Sequence, residues 1–279
     1  MSKVTKRLLI FFIGVPSVLG LVLVQFLCHL PLNIAIIAGS AISCIEMYNM
    51  SVKRTKLLPK WLIVFLAVLL PASEYVFMLL NLNLDYMIWI FSLCAIILLM
   101  TECFMHKSFD DSIVRLSTSV FIVFYSGYLF TFIQRIGDFK DSTFFLALFF
   151  FTVFFHDSLA WLFGVLMGKN TRGIFAASPN KSIVGCLGGL FGAVASCVLA
   201  KIFFPCLMPG SFFKPVIIGL FCSVGAITGD LVESVFKRSA GVKDSGWIIM
   251  GRGGLLDSVD SLLFTAPIYY VSVHFLFGN

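Results

Sequence analysis

The sequence predicts an all-α, polytopic integral membrane protein of about nine transmembrane helices with a cytoplasmic N-terminus. Three observations lead there. The 279 residues are 59% hydrophobic and 12% charged, where soluble domains carry about 25% charged residues. At a mean hydropathy of +1.02 the chain is too apolar for one soluble core. The apolar residues fall into runs of the roughly 20 residues that cross a bilayer as helix, and Lys and Arg crowd into alternate loops.

The first run, 7–28, looks at first like a secretory leader. It is long and lacks a small-residue cleavage pattern, so it reads as a retained span. HLPLN leaves almost no connection to the second run, 31–50, so the two form a helical hairpin. Polar or turn-forming stretches then separate 60–80, 85–104, 115–134, 143–167, 183–204, 214–236 and 255–276. With the N-terminus in the cytoplasm, 16 of the 20 Lys and Arg fall on that side, in the N-terminus and in or beside loops 51–59, 105–114, 168–182 and 237–254. Arg135, Lys140, Lys201 and Lys214 fall outside. An eight-span count would scramble this bias. The expected setting is the cell (inner) membrane, with the C-terminus outside.

The net charge of +6 therefore belongs to topology and to anionic lipid or phosphate, with no nucleic acid as partner. The eight cysteines are scattered, form no CxxC pair and read as small buried hydrophobes. One helical domain is expected, because backbone polar groups in lipid must be satisfied within each segment. Residues 1–135 are assigned a structural or dimerising role, the latter giving a homodimer, and 143–279 the chemistry.

Carboxylates inside a membrane are costly, about 2.5–3.5 kcal/mol each on insertion scales, so they mark function. In GDLVESVFKR, Asp230, Glu233, Ser234 and Lys237 share one helix face. Such a face looks into a protein interior or a wet cavity, or it merely solvates a helix end. In GRGGLLDSVD, glycines precede a helix start, whose free N–H groups suit an anion. Asp257 and Asp260 share a face there, and with Asp230 they supply oxygen ligands for Mg²⁺, which completes its shell with water and substrate phosphates. Favouring the helix dipole is the plainer role for such Asp residues. His156 and Asp157 lie in an apolar run, followed by Ala160, Gly164 and Gly168 at four-residue spacing, a face for close helix packing. His156 reads as an interhelical donor; no second His stands at zinc-ligand spacing. Carboxylates with Mg²⁺ beside Lys and Arg are the recurring kit for phosphoryl or nucleotidyl transfer, and at a membrane edge the substrate is a lipid.

The stretch from Ser234 to Asp260 resembles the signature of the phosphatidate cytidylyltransferases, the CDP-diacylglycerol synthases. Ser234, Lys237, Arg238, Lys243, Asp244, Gly246, Gly253, Gly254, Asp257 and Asp260 fall in register with it. Upstream, Asp157, Ala160, Trp161, Gly164, Gly168 and Lys169 are similar to one family segment. Ser178, Pro179, Lys181 and Ser182, then Gly188 and Gly189, are similar to another. The resemblance covers about 155–262; the N-terminal half agrees only in hydropathy. The sequence departs from the pattern at Arg252, where the family has His, and at Ser258, where it has Arg; Met250, Ile183 and Val184 also differ. Arg252 keeps a cation near phosphate but cannot transfer protons.

The resemblance implies CTP and phosphatidate as substrates and CDP-diacylglycerol and pyrophosphate as products, at the cytoplasmic side, with membrane lipids around. On that reading Asp230, Asp257 and Asp260 hold Mg²⁺, with or without a monovalent cation beside it. Lys237, Arg238, Lys243 and Arg252 neutralise phosphate, and Gly253 and Gly254 let the backbone approach it. Ser178 and Lys181 shape the other wall; Asp157 and Asp244 support the site. A CTP-dependent polyprenol or phytol kinase is the alternative. A transporter is a weaker one, since no internal repeat is present and the charges crowd one edge.

Overall fold

Every expected span is a helix in the computed structural model, which describes residues 3–249 and 253–278. In order these are α1 (Lys3–Leu23), α2 (Phe26–Ser51), α3 (Lys60–Leu79), α4 (Met87–Met105) and α5 (Ser112–Val123). A π-helical turn, Phe124–Tyr128, joins α5 to α6 (Leu129–Ile136), so that these make one span. Then follow α7 (Ser142–Leu166), α8 (Ile183–Phe203), α9 (Phe213–Ser239) and α10 (Leu256–Phe277). Among the described residues eight spans, from α2 to α10, are long and apolar enough to cross a membrane. Of α1, the shorter stretch Ile13–Leu23 is counted as an apolar helix. Only two isolated bridges, Arg172 with Ser182 and Ile249 with Gly253, break the all-helical pattern among the described residues.

The α1–α2 hairpin turns on three consecutive left-handed residues, Leu27, Cys28 and His29 (φ 46°, 52° and 60°). L-residues resist that conformation by about 1–2 kcal/mol each, so outside bonds must hold it. His29 Nδ1 lies 3.0 Å from the Val22 carbonyl and Nε2 2.9 Å from Ser142 Oγ. Tyr75 donates to the Leu27 carbonyl and Asn33 to that of Cys28. Pro31 then opens the regular helix, where its missing N–H costs nothing.

Because the spans alternate in direction, the last turns of α2, α4, α7 and α9 meet the first turns of α3, α5, α8 and α10. The site grows at that end. The opposite end uses its basic residues to tie helices. Arg135 pairs with buried Glu74 at 2.9 Å. Lys201 donates to the Met208 and Gly210 carbonyls, and Lys214 to the Leu276 carbonyl at the close of α10. Four cysteines, 44, 94, 197 and 222, are buried as expected; Cys103 and Cys206 are exposed.

Glycine sets how closely the last helices pack. On α8, Gly185, Gly188, Gly189 and Gly192 lie against α7, where added Cβ atoms would meet Ala160 O, Phe163, the His156 ring and Phe155 O. Gly164 and Gly168 return the fit against Gly185 and Ser182, the small-residue face read from the sequence. On α9, Gly229 lies against the Asp260 carbonyl of α10.

Candidate functional site

Helix α9 ends in a turn that hands the chain to the site. Gly241 is left-handed (φ 71°); its N–H bonds to Arg238 O and that of Val242 to Lys237 O, a Schellman cap. The chain then runs past Lys243 and Asp244, both exposed, to Ile249, which exchanges a pair of backbone bonds with Gly253. Gly253, at φ 114°, holds a backbone form that only glycine adopts readily. From there α10 begins.

The first turn of α10 is tied down by carboxylates. Asp257 Oδ1 accepts from Lys237 Nζ at 2.5 Å. Its Oδ2 accepts from the N–H groups of Gly254 and Ser245, each at 2.8 Å. Glu46, from α2, accepts from the Leu255 N–H at 3.0 Å and the Leu256 N–H at 2.9 Å. Ser245 Oγ lies 3.1 Å from Glu46 Oε2 and 2.9 Å from Asp257 Oδ2, so one hydroxyl proton serves two carboxylates. Two negative charges thus sit on a positive helix end.

Lys237 also pairs with Glu233, one turn back on α9. Opposite them stands the wall made by the end of α7, the 167–182 loop and α8. Lys181 Nζ meets Asp230 Oδ2 at 2.7 Å, and Arg238 Nε donates to Ala177 O at 3.4 Å. Ser182 caps α8 by accepting from the Gly185 N–H at 3.1 Å. Half-buried Ser178 holds the loop through its backbone, with its carbonyl accepting from Lys181 N–H. Ser234 is buried beside Glu233. His156 Nδ1 contacts Asp157 Oδ1 at 3.1 Å within its own helix, and among the described residues its Nε2 has no hydrogen-bond partner, so it is not the interhelical donor expected.

Five carboxylates therefore gather here: Asp157, Asp230, Glu233, Asp257 and Asp260. Asp260 is buried, within electrostatic reach of Asp230 and Asp157, and Glu233 within reach of Asp260 and Asp257. Among the described residues only Lys181 and Lys237 form salt bridges with any of the acids of α9 and α10. Glu233 Oε1 is buried with no hydrogen-bond partner among the described residues. Buried carboxyl oxygens in excess of their cationic partners are the donor chemistry of a hard divalent cation. No ready cage exists: among the described residues no three His, Cys, Asp or Glu side chains converge at metal-holding distance. The residues fit a cation that takes one or two carboxylates and completes its shell on substrate phosphates.

The structure brings together Asp230, Ser234, Lys237, Asp257 and Asp260 with Lys181 and Asp157, and keeps Arg238, Lys243 and Asp244 at the exposed rim. Arg252 lies outside the described residues. Two expectations change. The start of α10 does not offer free N–H groups to an anion, because Glu46 and Asp257 occupy them. Gly254 is needed for the same reason: a Cβ there would run into Ser245 Oγ and the Glu46 carboxylate. Glu46 and Ser245 were not among the residues singled out for the site. Glu46 carried a signal, as a carboxylate in an apolar run; Ser245 carried none.

Residues 5–276 match the cytidylyltransferase family. The chain is 40% identical over 114 residues to phosphatidate cytidylyltransferase 4, chloroplastic, of Arabidopsis thaliana, covering 41% of this chain and 28% of that one. It is 31% identical over 154 residues to the phosphatidate cytidylyltransferase of Aquifex aeolicus, covering 55% of each. It is also 34% identical over 120 residues to the uncharacterized protein YnbB of Escherichia coli K12, covering 43% and 39%. The matched stretches thus span 28% to 55% of these relatives' lengths. With a match running nearly end to end, this chain belongs to the cytidylyltransferase family.

Proposed function

We propose that the protein transfers the cytidylyl group of CTP to phosphatidate, at the cytoplasmic edge of the cell (inner) membrane, releasing pyrophosphate. The observation that carries this is the cluster of five carboxylates with two lysines, beside an exposed basic rim, in a member of the cytidylyltransferase family. Relatives named phosphatidate cytidylyltransferase support the lipid acceptor.

A phosphatidate oxygen bonds to the α-phosphorus of CTP, and the bond from that phosphorus to the β-phosphate bridging oxygen breaks. The attacking phosphate is already an anion, so no strong base is required, and Arg252 in place of a His is no obstacle. The chain's task is to hold two anions together in line. Lys237 and Lys181, pre-oriented by Glu233, Asp257 and Asp230, present ammonium groups to phosphate. Arg238 and Lys243 line the approach from the cytoplasm, Asp244, Ser178, Gly253 and Gly254 shape it, and Arg252 is assigned to phosphate on the family resemblance alone. One or two of Asp230, Asp257 and Asp260 would hold Mg²⁺, with the rest of its shell on substrate phosphates and Asp157 within electrostatic reach of Asp260. When bound, that ion supplies charge neutralisation of the phosphates. Pairing of two copies through the N-terminal helices is the corresponding proposal for assembly.

Purified protein given CTP, phosphatidate and Mg²⁺ should release pyrophosphate in one-to-one ratio with a cytidine-containing lipid. Pyrophosphate or nucleotide turnover with no such lipid would overturn the reading.

A further inference from the structure

The span made of α5 and α6 carries a distortion that the carboxylate cluster alone does not explain. Its π-helical turn, Phe124–Tyr128, is a rare form that recurs at functional sites. Here it is held from outside. Ser40 Oγ of α2 lies 2.6 Å from the Ser126 carbonyl and 3.2 Å from that of Ala67. Gly127 approaches α3 so closely that a Cβ would meet Ala67 O at 2.6 Å. A widened turn fixed on two sides is a built feature.

Tyr125 is what the turn presents. It is 1% exposed, and its hydroxyl has no hydrogen-bond partner among the described residues. Buried tyrosine hydroxyls normally find one, because the orphan state is costly. The ring centroid lies 6.1 Å from that of Phe236 on α9 and 6.1 Å from that of Phe264 on α10. Those rings stand one helical turn from Glu233 and Asp260. The hydroxyl is within electrostatic reach of Asp260, Glu233 and Asp230. Glu233 Oε1 is likewise buried without a donor among the described residues. An orphan donor and an orphan acceptor, both buried and within electrostatic reach of each other, thus stand on neighbouring elements.

We infer that Tyr125 is a positioning residue: in the loaded site its hydroxyl donates to the Glu233 carboxylate, keeps Glu233 turned to Lys237, and so holds Lys237 for phosphate. This rests on the cytidylyl-transfer reading above. The substitution Tyr125→Phe removes only the hydroxyl. In the full chain in detergent, it should melt no lower than wild type without nucleotide, because an orphan group is removed. Its kcat should fall about tenfold, as for loss of a hydrogen bond to a charged group, and the rise in melting temperature on adding Mg²⁺ and CTP should shrink. A kcat within about twofold of wild type would overturn the inference. So would a loss of kcat matched by lower nucleotide-free stability, which a merely structural role produces. If wild type makes no lipid nucleotide, the proposed function fails by itself. The Mg²⁺–CTP melting rise then decides Tyr125: a smaller rise in Tyr125→Phe supports its role, and an equal rise, or none in wild type, overturns it.

Discussion

At the scale of residues, two carboxylates on one helix end have different work. Glu46 accepts from the Leu255 and Leu256 N–H groups and touches neither site lysine. Asp257 binds the chain at Gly254 and Ser245 and also holds Lys237. Substituting Glu46→Ala should therefore cost about 1–3 kcal/mol of stability, the penalty for stranding buried donors, and activity should fall with it. Glu46→Gln keeps acceptor capacity and should lie between. By contrast, Asp257→Asn keeps an acceptor for the backbone and should melt close to wild type, yet lose turnover by about 100-fold or more, as when a group stabilising transferred charge is removed. Melting curves and turnover measured on the same preparations separate the two. An Asp257→Asn protein with wild-type turnover would remove Asp257 from the chemistry.

At the scale of elements, the crossing of α9 over α10 sets the distance between Lys237 and Asp257. Gly229→Ala tests that crossing. Alanine favours helix over glycine by about 0.5–1 kcal/mol. Its Cβ, however, would stand 2.6 Å from the Asp260 carbonyl oxygen and 2.8 Å from Phe264 Cβ. Backbone cannot swing aside, and overpacking of this kind costs about 1–3 kcal/mol. The clash wins, so Gly229→Ala should lower both melting temperature and turnover; an unchanged or stabilised variant would show that the crossing is loose.

The helices themselves were legible in the sequence because a bilayer demands long apolar runs, and each boundary fell within a few residues of α2 to α10. The face of Asp230, Glu233, Ser234 and Lys237 was legible from helical periodicity. The cap on α10 was not, since Glu46 lies 209 residues from Leu255 in sequence and nothing local pairs them. Nor was the π-turn: FYSGY sits in an unbroken apolar run, and its cause, Ser40 and the α3 backbone, lies on other helices. The hairpin of α1 and α2 was foreseen, but not its left-handed corner, which depends on Ser142 and Tyr75.

At the scale of the whole molecule, alternation of the spans puts the carboxylate cluster at one end and the α8–α9 loop, with exposed Cys206, at the other. If the cluster meets the cytoplasm, Cys206 faces away from it. A membrane-impermeant maleimide applied to intact cells should then label the chain, with Cys206→Ser removing most of the label. Labelling of Cys206 only in inverted vesicles would reverse the orientation and set the basic rim where CTP is absent.

The central claim concerns which phosphorus is attacked. Purified protein with phosphatidate and Mg²⁺ is given CTP labelled at the α-phosphate or at the γ-phosphate, and the lipid is extracted. The account predicts label in the lipid from the α position and none from the γ position. Label from the γ position alone would make the protein a lipid kinase and contradict the account.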